Sequence, residues 1–355
     1  MCAVLLTAHG GLEKLEYRDD VATPIPEENE VLIKVSAAGM NNTDINTRIG
    51  WYSKSVTGET SDGGLGGFEL AESKDSSWGG ATIDFPRIQG ADCCGYVVAC
   101  GSGIPSSRIG ERVIVRSIIP DPGKGEFYCF TVGSEIDGGF AQYLKIASKD
   151  ALKIDCDWSD EEIASIPCAY STAENLLERS SLAAERVLIT GASGGVGSAA
   201  IQLARRRGAE VLAVASAAKK DEVLAIGAET VFDREADLVA ALGKDSVDLV
   251  VDLVGGPGFP QLLDILRVGG RYATAGAIAG PIVDLDLRTL YLKDQTFFGC
   301  THQENRIFEN LVSYIEKNEI RPLVAKSFPL GEIRAAQEEF LSKKHTGKMV
   351  LLPPA

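Results

Sequence analysis

The sequence predicts an α/β protein of two domains, one rich in strands and one built around a doubly wound parallel sheet. Two observations carry this prediction. Short strand-like runs separated by glycine, proline and asparagine fill residues 1–150, and strands and helices alternate regularly from about Ser159. A chain of 355 residues also exceeds what one hydrophobic core usually serves, which favours two domains.

The strand-rich part begins with a short apolar strand over residues 3–7. The runs that follow are alternating or β-branched, as expected of strands with one face buried. They cover residues 31–35, 95–99, 112–116 and 140–146.

The alternating part opens with helical stretches at residues 161–165 and 172–179. The segments that follow are strand 187–190, helix 196–207, strand 210–215, helix 219–226, strand 230–232, helix 238–242, strand 247–253, helix 259–266 and strand 270–275. This alternation is typical of a parallel sheet made from βαβ units. After Asp294 the sequence predicts a strand at 296–298, amphipathic helices at 304–318 and 330–343, and a terminal strand at 348–352.

Composition excludes several classes of function. Lys and Arg number 35 against 50 Asp and Glu, and the formal charge of −15 disfavours binding to nucleic acid or to anionic membranes. The sequence contains no apolar run of the ~18–20 residues that a membrane span needs. Polar residues interrupt the apolar start too early for a signal peptide, so we expect a cytoplasmic protein. Eight cysteines are too dilute for a disulfide scaffold, and most are expected to be reduced, buried side chains.

The most informative segment is the glycine turn, residues 191–197, which read Gly-Ala-Ser-Gly-Gly-Val-Gly. It connects a buried strand to an amphipathic helix, the context in which such a turn binds a dinucleotide. Gly194 allows the backbone to approach a pyrophosphate, and Gly197 allows the helix to pack closely on the strand. The helix start, with Ser193, Gly195 and Val196, offers free N–H groups to phosphate.

The end of the next strand, residues 210–215, favours NADP(H) over NAD(H). NAD-binding folds usually place there a carboxylate that holds the ribose, and this strand has none. It continues instead into Ser216 and Lys219, and Arg234 follows the strand after it. Hydroxyl and cationic donors suit a 2′-phosphate. The alternative for Lys219 is an ordinary solvated charge on a helix.

With these motifs the chain resembles the medium-chain dehydrogenase/reductase superfamily, in its quinone oxidoreductase-like branch. The glycine turn carries the resemblance, and Gly138-Gly-Phe-Ala-Gln-Tyr143 and Gly347-Lys-Met-Val-Leu351 support it. The resemblance implies a GroES-like domain from residues 1–150 and 295–355, a Rossmann domain from residues 151–294, and an active-site cleft between them. It also implies a homodimer formed through an edge strand near residues 296–299. Further implied cofactor contacts are Thr172, Val254, Gly276 and Lys348.

The chain departs from the zinc-dependent members of this superfamily. Asn41 stands where they have a cysteine ligand, and Ala91 stands where they have a histidine ligand. Asn and Ala cannot replace these donors in a zinc site. Cys93 and Cys94 are adjacent on a strand, so their side chains point to opposite faces and are poorly placed to share one ion. We therefore expect no metal.

Without zinc, hydride transfer favours a small substrate that delocalises the arriving charge itself, such as a quinone or an α,β-unsaturated carbonyl. The resemblance implies that Asn41 contacts the nicotinamide ribose and that Tyr52 lines the substrate pocket and donates a proton. The alternatives are a turn or cap residue for Asn41 and an aromatic filler beside Trp51 for Tyr52.

Residues 53–86 form a Gly-, Ser- and Asp-rich stretch that is much longer than the corresponding loop of the superfamily. Since it follows Tyr52 directly, we expect an active-site lid, with surface decoration as the alternative. The leading interpretation is a zinc-independent, NADPH-dependent reductase of quinones or activated C=C bonds. Two others stay open: a metal-free carbonyl or alcohol oxidoreductase, and an NADPH-binding structural or regulatory protein with little turnover.

Overall fold

The structure is a computed structural model that describes residues 1–69, 71 and 73–355. The chain divides into two compact units. The first unit comprises Met1–Val56, Asp62–Ala169 and His302–Ala355, and the second comprises Thr57–Ser61 and Tyr170–Thr301.

The N-terminal part of the first unit is rich in strands, as predicted. Its strands are β1 (Ala3–Leu6), β2 (Leu15–Arg18), β3 (Glu30–Gly39), β4 (Arg87–Ile88), β5 (Cys94–Cys100), β6 (Arg112–Val115), β7 (Ile118–Pro120), β8 (Cys129–Thr131), β9 (Tyr143–Ala147) and β10 (Ala151–Lys153). Its helices are α1 (Asn42–Ile49) and α2 (Asp160–Ala164).

The second unit alternates between strands and helices, which confirms the βαβ pattern read from the sequence. Helix α3 (Pro167–Arg179) leads into it. Its strands are β11 (Arg186–Ile189), β12 (Glu210–Val214), β13 (Thr230–Phe232), β14 (Val247–Asp252), β15 (Leu266–Thr274) and β16 (Thr296–Gly299). Its helices are α4 (Gly195–Arg206), α5 (Lys220–Ala225), α6 (Leu238–Leu242), α7 (Phe259–Ile265) and α8 (Leu287–Leu292).

The chain then returns to the first unit through α9 (Asn305–Glu316), β17 (Val324–Pro329), α10 (Ile333–Leu341) and β18 (Lys348–Leu352). The terminal strand has the bounds predicted from the sequence, whereas β17 was not predicted. Of the helices in the described residues, none combines the length and apolar character needed to cross a membrane.

The main sheet of the first unit has the order β10-β6-β5-β3-β18-β17, and β9 also pairs with β3. Strand β18 is antiparallel to β3, with Val350 opposite Gly39, and the Met40 amide donates to the Met349 carbonyl (2.8 Å). Apolar side chains from β1, β3, β5 and β18 share one buried core. This pairing sets the start of α1 beside the start of β18.

The sheet of the second unit is parallel, in the order β13-β12-β11-β14-β15-β16. This is the doubly wound Rossmann order. Successive strands are added outward on one side of β11 and then, from β14 onward, on its other side, so that the strand order reverses between β11 and β14. Ligands of such sheets bind at that reversal, beyond the carboxyl ends of the strands. The predicted fold class is therefore confirmed, and the edge strand of the sheet is β16, as expected.

The bounds of the two units differ from the predicted domain bounds. Residues 151–169 belong to the first unit because β10 pairs with β6 and the α2 residue Asp160 accepts a hydrogen bond from Arg112 Nε (2.8 Å). Residues 295–301 belong to the second unit because β16 pairs with β15. The segment Thr57–Ser61 also belongs to the second unit, where the Thr60 amide donates to the Ile278 carbonyl (3.1 Å).

Candidate functional site

The glycine turn lies at the carboxyl end of β11, where a dinucleotide site is expected. Gly191 has a φ of +59°, a left-handed conformation that favours glycine. Helix α4 begins at Gly195 with Gly194 as its N-cap. A Cβ on Gly197 would lie 2.3 Å from the Gly191 carbonyl oxygen, so the helix can approach the turn only because this residue is glycine. The turn fits a pyrophosphate held by helix N–H groups.

Two further turns meet the glycine turn at this end of the sheet. The first follows β14 and contains Val254, whose Cγ2 lies 3.3 Å from the ideal Cβ position of Gly191. The second follows β15 and contains Gly276, whose ideal Cβ position lies 3.3 Å from the Leu253 carbonyl oxygen. The structure thus brings the predicted residues Val254 and Gly276 to the same edge as the glycine turn. Thr172 lies half-buried in α3, also in the second unit.

Asp252, the last residue of β14, is a site residue that the sequence analysis missed. Its side chain is fully buried and accepts hydrogen bonds from the Thr190 hydroxyl (2.6 Å) and the Tyr272 hydroxyl (2.6 Å). Burial and the charge of Asp252 raise the pKa of Tyr272, so this hydroxyl stays protonated and donates. The available signal was one acidic residue at the end of an otherwise apolar run.

The predicted phosphate-selecting residues lie beyond β12 and β13. Ser216 and Lys219 are half-buried, and Arg234 is exposed. Burial lowers the pKa of Lys219, and the positive charge of Arg234 lowers it further, while Glu222 opposes both effects. Lys219 and Arg234 are therefore close enough for their charges to interact. Sequence reasoning missed Asp233, whose carboxylate accepts from the Ala217 amide (2.9 Å) and fixes the turn that carries Ser216.

In the first unit, Asn41, Asp92 and Lys348 form a buried polar network. Asn41 Nδ2 donates to Asp92 Oδ2 (2.9 Å), and the Lys348 ammonium donates to Asp92 Oδ2 (2.8 Å) and to Asn41 Oδ1 (2.5 Å). The other carboxylate oxygen of Asp92 accepts from the Cys168 amide (2.7 Å). Asn41 is also the N-cap residue of α1, as its alternative interpretation held. Asp92 was not predicted as a site residue.

Asp44 is a second buried carboxylate of the same region. It accepts from the backbone amides of Asn41 (2.7 Å) and Ala91 (3.3 Å). The pKa of Asp44 is raised to about 7: burial is the main cause and the charge of Asp92 adds to it, whereas these amides and the Lys348 charge partly oppose the increase. Asp44 therefore titrates near neutral pH.

Tyr52 follows α1 and is half-buried. Its hydroxyl donates to Thr43 Oγ1 (2.9 Å), and its ring meets that of Trp51 edge-on with centroids 5.7 Å apart. Burial is the main cause that raises the pKa of Tyr52 above its ordinary value. The phenol is therefore protonated at neutral pH and is able to donate a proton.

Most of the long loop predicted over residues 53–86 belongs to the first unit and is held there by side-chain hydrogen bonds, whereas its residues Thr57–Ser61 belong to the second unit. The buried Arg48 donates to the Gly64 carbonyl (2.5 Å), and the Ser76 hydroxyl lies 2.6 Å from Nε2 of His9. Glu135 accepts from the Gly79 amide (2.8 Å). Leu70 and Glu72 of this predicted loop lie outside the described residues. A role as an active-site lid stays a prediction.

The residues at the position of the zinc ligands do not fit zinc. Asn41 Oδ1 faces the Lys348 ammonium, and Asp92 is engaged by three donors. Cys93 and Cys94 are buried, and burial raises the pKa of both thiols, which disfavours the thiolate that zinc requires. Within residues 1–69, 71 and 73–355, no group of three or more His, Cys, Asp or Glu side chains is placed to hold a metal.

The cysteines themselves were predicted to be mostly buried, and this was wrong for five of them. All eight are free thiols, and only Cys93, Cys94 and Cys300 are buried. The others are half-buried, and all of them belong to the first unit: Cys2, Cys100, Cys129, Cys156 and Cys168.

Comparison with known proteins agrees with these features. The alcohol dehydrogenase GroES-like domain matches residues 27–156, and the zinc-binding dehydrogenase domain matches residues 195–317. The chain is 30% identical to a quinone oxidoreductase from Lama guanicoe over 366 residues, covering 99% of this chain and 97% of that protein. It is 29% identical to an acryloyl-coenzyme A reductase from Metallosphaera sedula over 370 residues, covering 99% of both chains.

A solved structure from Sinorhizobium meliloti 1021, provisionally described as an alcohol dehydrogenase, shares 46% identity with this chain. The two superimpose with a TM-score of 0.88, over 100% of this chain and 97% of the other. The chain therefore belongs to the medium-chain dehydrogenase/reductase superfamily of nicotinamide-dependent oxidoreductases, in its quinone oxidoreductase-like branch.

Proposed function

We propose that this oxidoreductase is a zinc-independent, NADPH-dependent reductase of quinones or of activated C=C bonds. The observation that carries the proposal is the Asn41–Asp92–Lys348 network, in which Asn41, at the position of a zinc ligand, is hydrogen-bonded to the Asp92–Lys348 ion pair. Without a Lewis acid, reduction is easiest for an acceptor that delocalises the incoming charge. The relatives named quinone oxidoreductase and acryloyl-coenzyme A reductase support this class of substrate, since quinones and acryloyl groups both delocalise the incoming charge.

The second unit would hold the cofactor. The N-terminus of α4, with Ser193, Gly194, Gly195, Val196 and Gly197, would bind the pyrophosphate. Ser216, Lys219 and Arg234 would bind the 2′-phosphate of NADP(H), with hydroxyl and cationic donors beside the carboxylates of Glu222 and Asp233. Thr172, Val254 and Gly276 would complete the contacts. When bound, the reduced nicotinamide supplies the hydride.

In the first unit, Tyr52 would be the catalytic residue that donates the proton. Its phenol is neutral at physiological pH, as an ordinary tyrosine is, and burial raises its pKa further. Its hydroxyl already donates a hydrogen bond to Thr43. A developing enolate or quinol oxygen accepts such a bond and then the proton. Asn41 and Lys348 are held by their hydrogen bonds to each other and to Asp92. Their predicted contacts with the cofactor stay proposals.

A second candidate function is a metal-free carbonyl or alcohol oxidoreductase. The 46% identity to the Sinorhizobium meliloti protein described as an alcohol dehydrogenase favours it. In that case a neutral Tyr52 would donate to the carbonyl oxygen of the substrate rather than to an enolate.

The test is a fluorescence titration of EDTA-treated protein with NADPH and NADH, followed by oxidation assays with small quinones, enones and simple ketones. Preferential NADPH binding with quinone or enone turnover supports the proposal, and turnover of ketones alone supports the second candidate. Tight NADPH binding without turnover of any acceptor would contradict both and favour a structural or regulatory protein.

The cofactor preference has its own test in Lys219→Gln. We expect this change to raise the Kd for NADPH about 10-fold and to leave the Kd for NADH unchanged, because a half-buried ammonium contributes a charge-assisted hydrogen bond. The matched control is Lys220→Gln, which removes an exposed charge next to it. Equal effects on both dinucleotides would contradict the assignment of the 2′-phosphate site.

We also propose a homodimer formed through the edge strand β16. Several apolar side chains of the second unit are exposed near this part of the sequence, and a partner would cover them: Val268, Ile282, Leu287, Tyr291 and Leu292. Light scattering of the purified chain tests this, and a monomer at micromolar concentration would contradict it. The cytoplasmic location stays a prediction.

A further inference from the structure

The carboxylate of Asp252 is held by five hydrogen bonds, and each comes from a neutral group. Besides the Thr190 and Tyr272 hydroxyls, the Val254 amide donates to Oδ1 (3.0 Å). The Gly255 amide lies between the two oxygens, 3.3 Å from Oδ1 and 3.2 Å from Oδ2. Asp252 is fully buried, so removal of any donor leaves part of a buried charge without a partner.

Three of these four donors, namely Thr190, Val254 and Gly255, lie at the two turns that flank the point where the strand order of the parallel sheet reverses, whereas Tyr272 lies on β15. Thr190 immediately precedes the glycine turn, and Val254 and Gly255 form the turn after β14. Thr190 links them twice, because its hydroxyl donates to Asp252 and accepts from the Leu253 amide (3.0 Å). One carboxylate therefore fixes both turns in one arrangement.

The turn after β14 has little intrinsic preference for its observed shape. Gly255 and Gly256 have φ values of +63° and +66°, which glycine adopts readily but does not prefer strongly over other conformations. Its shape is set by hydrogen bonds to groups outside the turn. These are the bonds to Asp252, the bond from the Ala279 amide to the Val254 carbonyl (2.9 Å) and the bond from the Gly256 amide to the Gly280 carbonyl (3.2 Å). The conformation of the Gly255–Gly256 pair thus depends on hydrogen bonds to groups outside the turn, among them the Asp252 carboxylate.

We infer that Asp252 is a positioning residue for the dinucleotide, and that it aligns the glycine turn with the Val254–Gly255 turn through Thr190. The inference rests on the proposed cofactor site. Asp252 itself need not touch the ligand. It acts by holding N–H groups and backbone in place before the cofactor arrives, which lowers the cost of binding.

Tyr272 provides a matched comparison on the same carboxylate. Its hydroxyl donates to Asp252 Oδ2, but its ring packs in the hydrophobic core against Phe259 and Phe297, with centroids 5.3 and 5.1 Å away. Loss of this hydroxyl weakens the fold around Asp252 and leaves the Thr190 link intact. Loss of the Thr190 hydroxyl removes the link between the turns.

The experiment compares Thr190→Val, Thr190→Ser and Tyr272→Phe in the full chain, with Kd values for NADPH and NADH from fluorescence titration and Tm from thermal unfolding. We expect Thr190→Val to raise the Kd of the preferred dinucleotide about 10-fold and Thr190→Ser to restore it to within about 2-fold. Tyr272→Phe should lower Tm about as much as Thr190→Val and change the Kd by less than about 2-fold.

Equal Kd changes in Thr190→Val and Tyr272→Phe would overturn the inference, because Asp252 would then serve only stability. An unchanged Kd in Thr190→Val would overturn it as well. If the wild type prefers NADH, only the proposed cofactor is contradicted. The Kd values of the variants are then compared for NADH, and the inference about Asp252 is tested in the same way. A wild type that binds neither dinucleotide would overturn both.

Discussion

Lys348 and Asp92 form an ion pair inside the first unit, with Nζ 2.8 Å from Oδ2 and side-chain exposures of 4% and 0%. The pair joins residues that are far apart in the sequence. It forms because β18 pairs with β3, which sets Lys348 beside Asn41 at the start of α1. The same ammonium thereby fixes the amide oxygen of Asn41.

Replacement of Lys348 by Met should destabilise the protein by about 3–5 kcal/mol, because it leaves the Asp92 charge buried without a cation. Chemical denaturation monitored by circular dichroism measures this change. The control is Lys326→Met, which breaks a pair with Glu339 whose side chains are 49% and 41% exposed, and which should cost at most about 1 kcal/mol. A loss for Lys348→Met no larger than that of the control would contradict this assignment.

Asp44 should make stability depend on pH. Its pKa in the folded chain is about 7, above the ordinary 3.8, so the folded state binds more protons than the unfolded state between these values. Its contribution is complete below pH 3.8 and is lost as pH rises through 7. Between these two pKa values, the stability that Asp44 contributes should fall by at most about 1.4 kcal/mol for each increase of one in pH.

The measurement is the difference in unfolding free energy between the wild type and Asp44→Asn at about pH 4.5, 6 and 8. Other titrating groups are common to both proteins and cancel in the difference. The advantage of the wild type should shrink steadily as the pH increases. A difference that stays constant over this range would show that Asp44 titrates elsewhere.

Gly197 and Gly194 should respond differently to alanine. A Cβ at Gly197 would lie 2.3 Å from the Gly191 carbonyl oxygen and 2.7 Å from Ala192 Cα, whereas a Cβ at Gly194 would meet only the Gly191 oxygen at 3.4 Å. Gly197→Ala should therefore cost about 1–3 kcal/mol of stability. Gly194→Ala should fold almost normally and bind NADPH more weakly, which unfolding and titration data together would test. Equal stability losses would refute this interpretation of the turn.

Tyr52→Phe should lower kcat by about 10²–10⁴ with little change in KM, since the phenol would be the proton donor. Because burial raises the pKa of Tyr52, the wild-type kcat should not fall through ionisation of this group at mildly alkaline pH. Steady-state rates across a pH series measure both effects. Tyr128→Phe, at an exposed tyrosine, serves as the control. A wild-type kcat retained in Tyr52→Phe would favour the aromatic-filler interpretation.

Local patterns were sufficient to predict the strands and most helices of the second unit, but not helix α8. Most strands of its parallel sheet are short apolar runs between helices, and the glycine turn predicts where a dinucleotide would bind. Strand β17 escaped prediction because its residues are largely exposed and include Lys326 and Pro329. Pairing with β18 holds it as a strand, and such pairing leaves no local signal.

The buried networks could not be predicted for the same reason. In the sequence, Asp252 is only an acidic residue within an apolar run. In the structure, the Thr190 and Tyr272 hydroxyls donate hydrogen bonds to it. Lys348 was expected at the cofactor, and only the three-dimensional structure shows its ammonium committed to Asp92 and Asn41. Sequence identifies the residue types of these sites, whereas their partners follow from strand pairing across the chain.

Because β18 is synthesised long after β3, the pairing of these two strands can form only late in the synthesis of the residues described here. The second unit is complete in sequence once Thr301 has been added, although the first unit was begun before it. The nascent first unit still lacks β18 at that point, so Asp92 cannot pair with the Lys348 ammonium until residue 348 has been synthesised. The first unit, although its synthesis begins first, can therefore complete its fold only after all residues of the second unit have been synthesised.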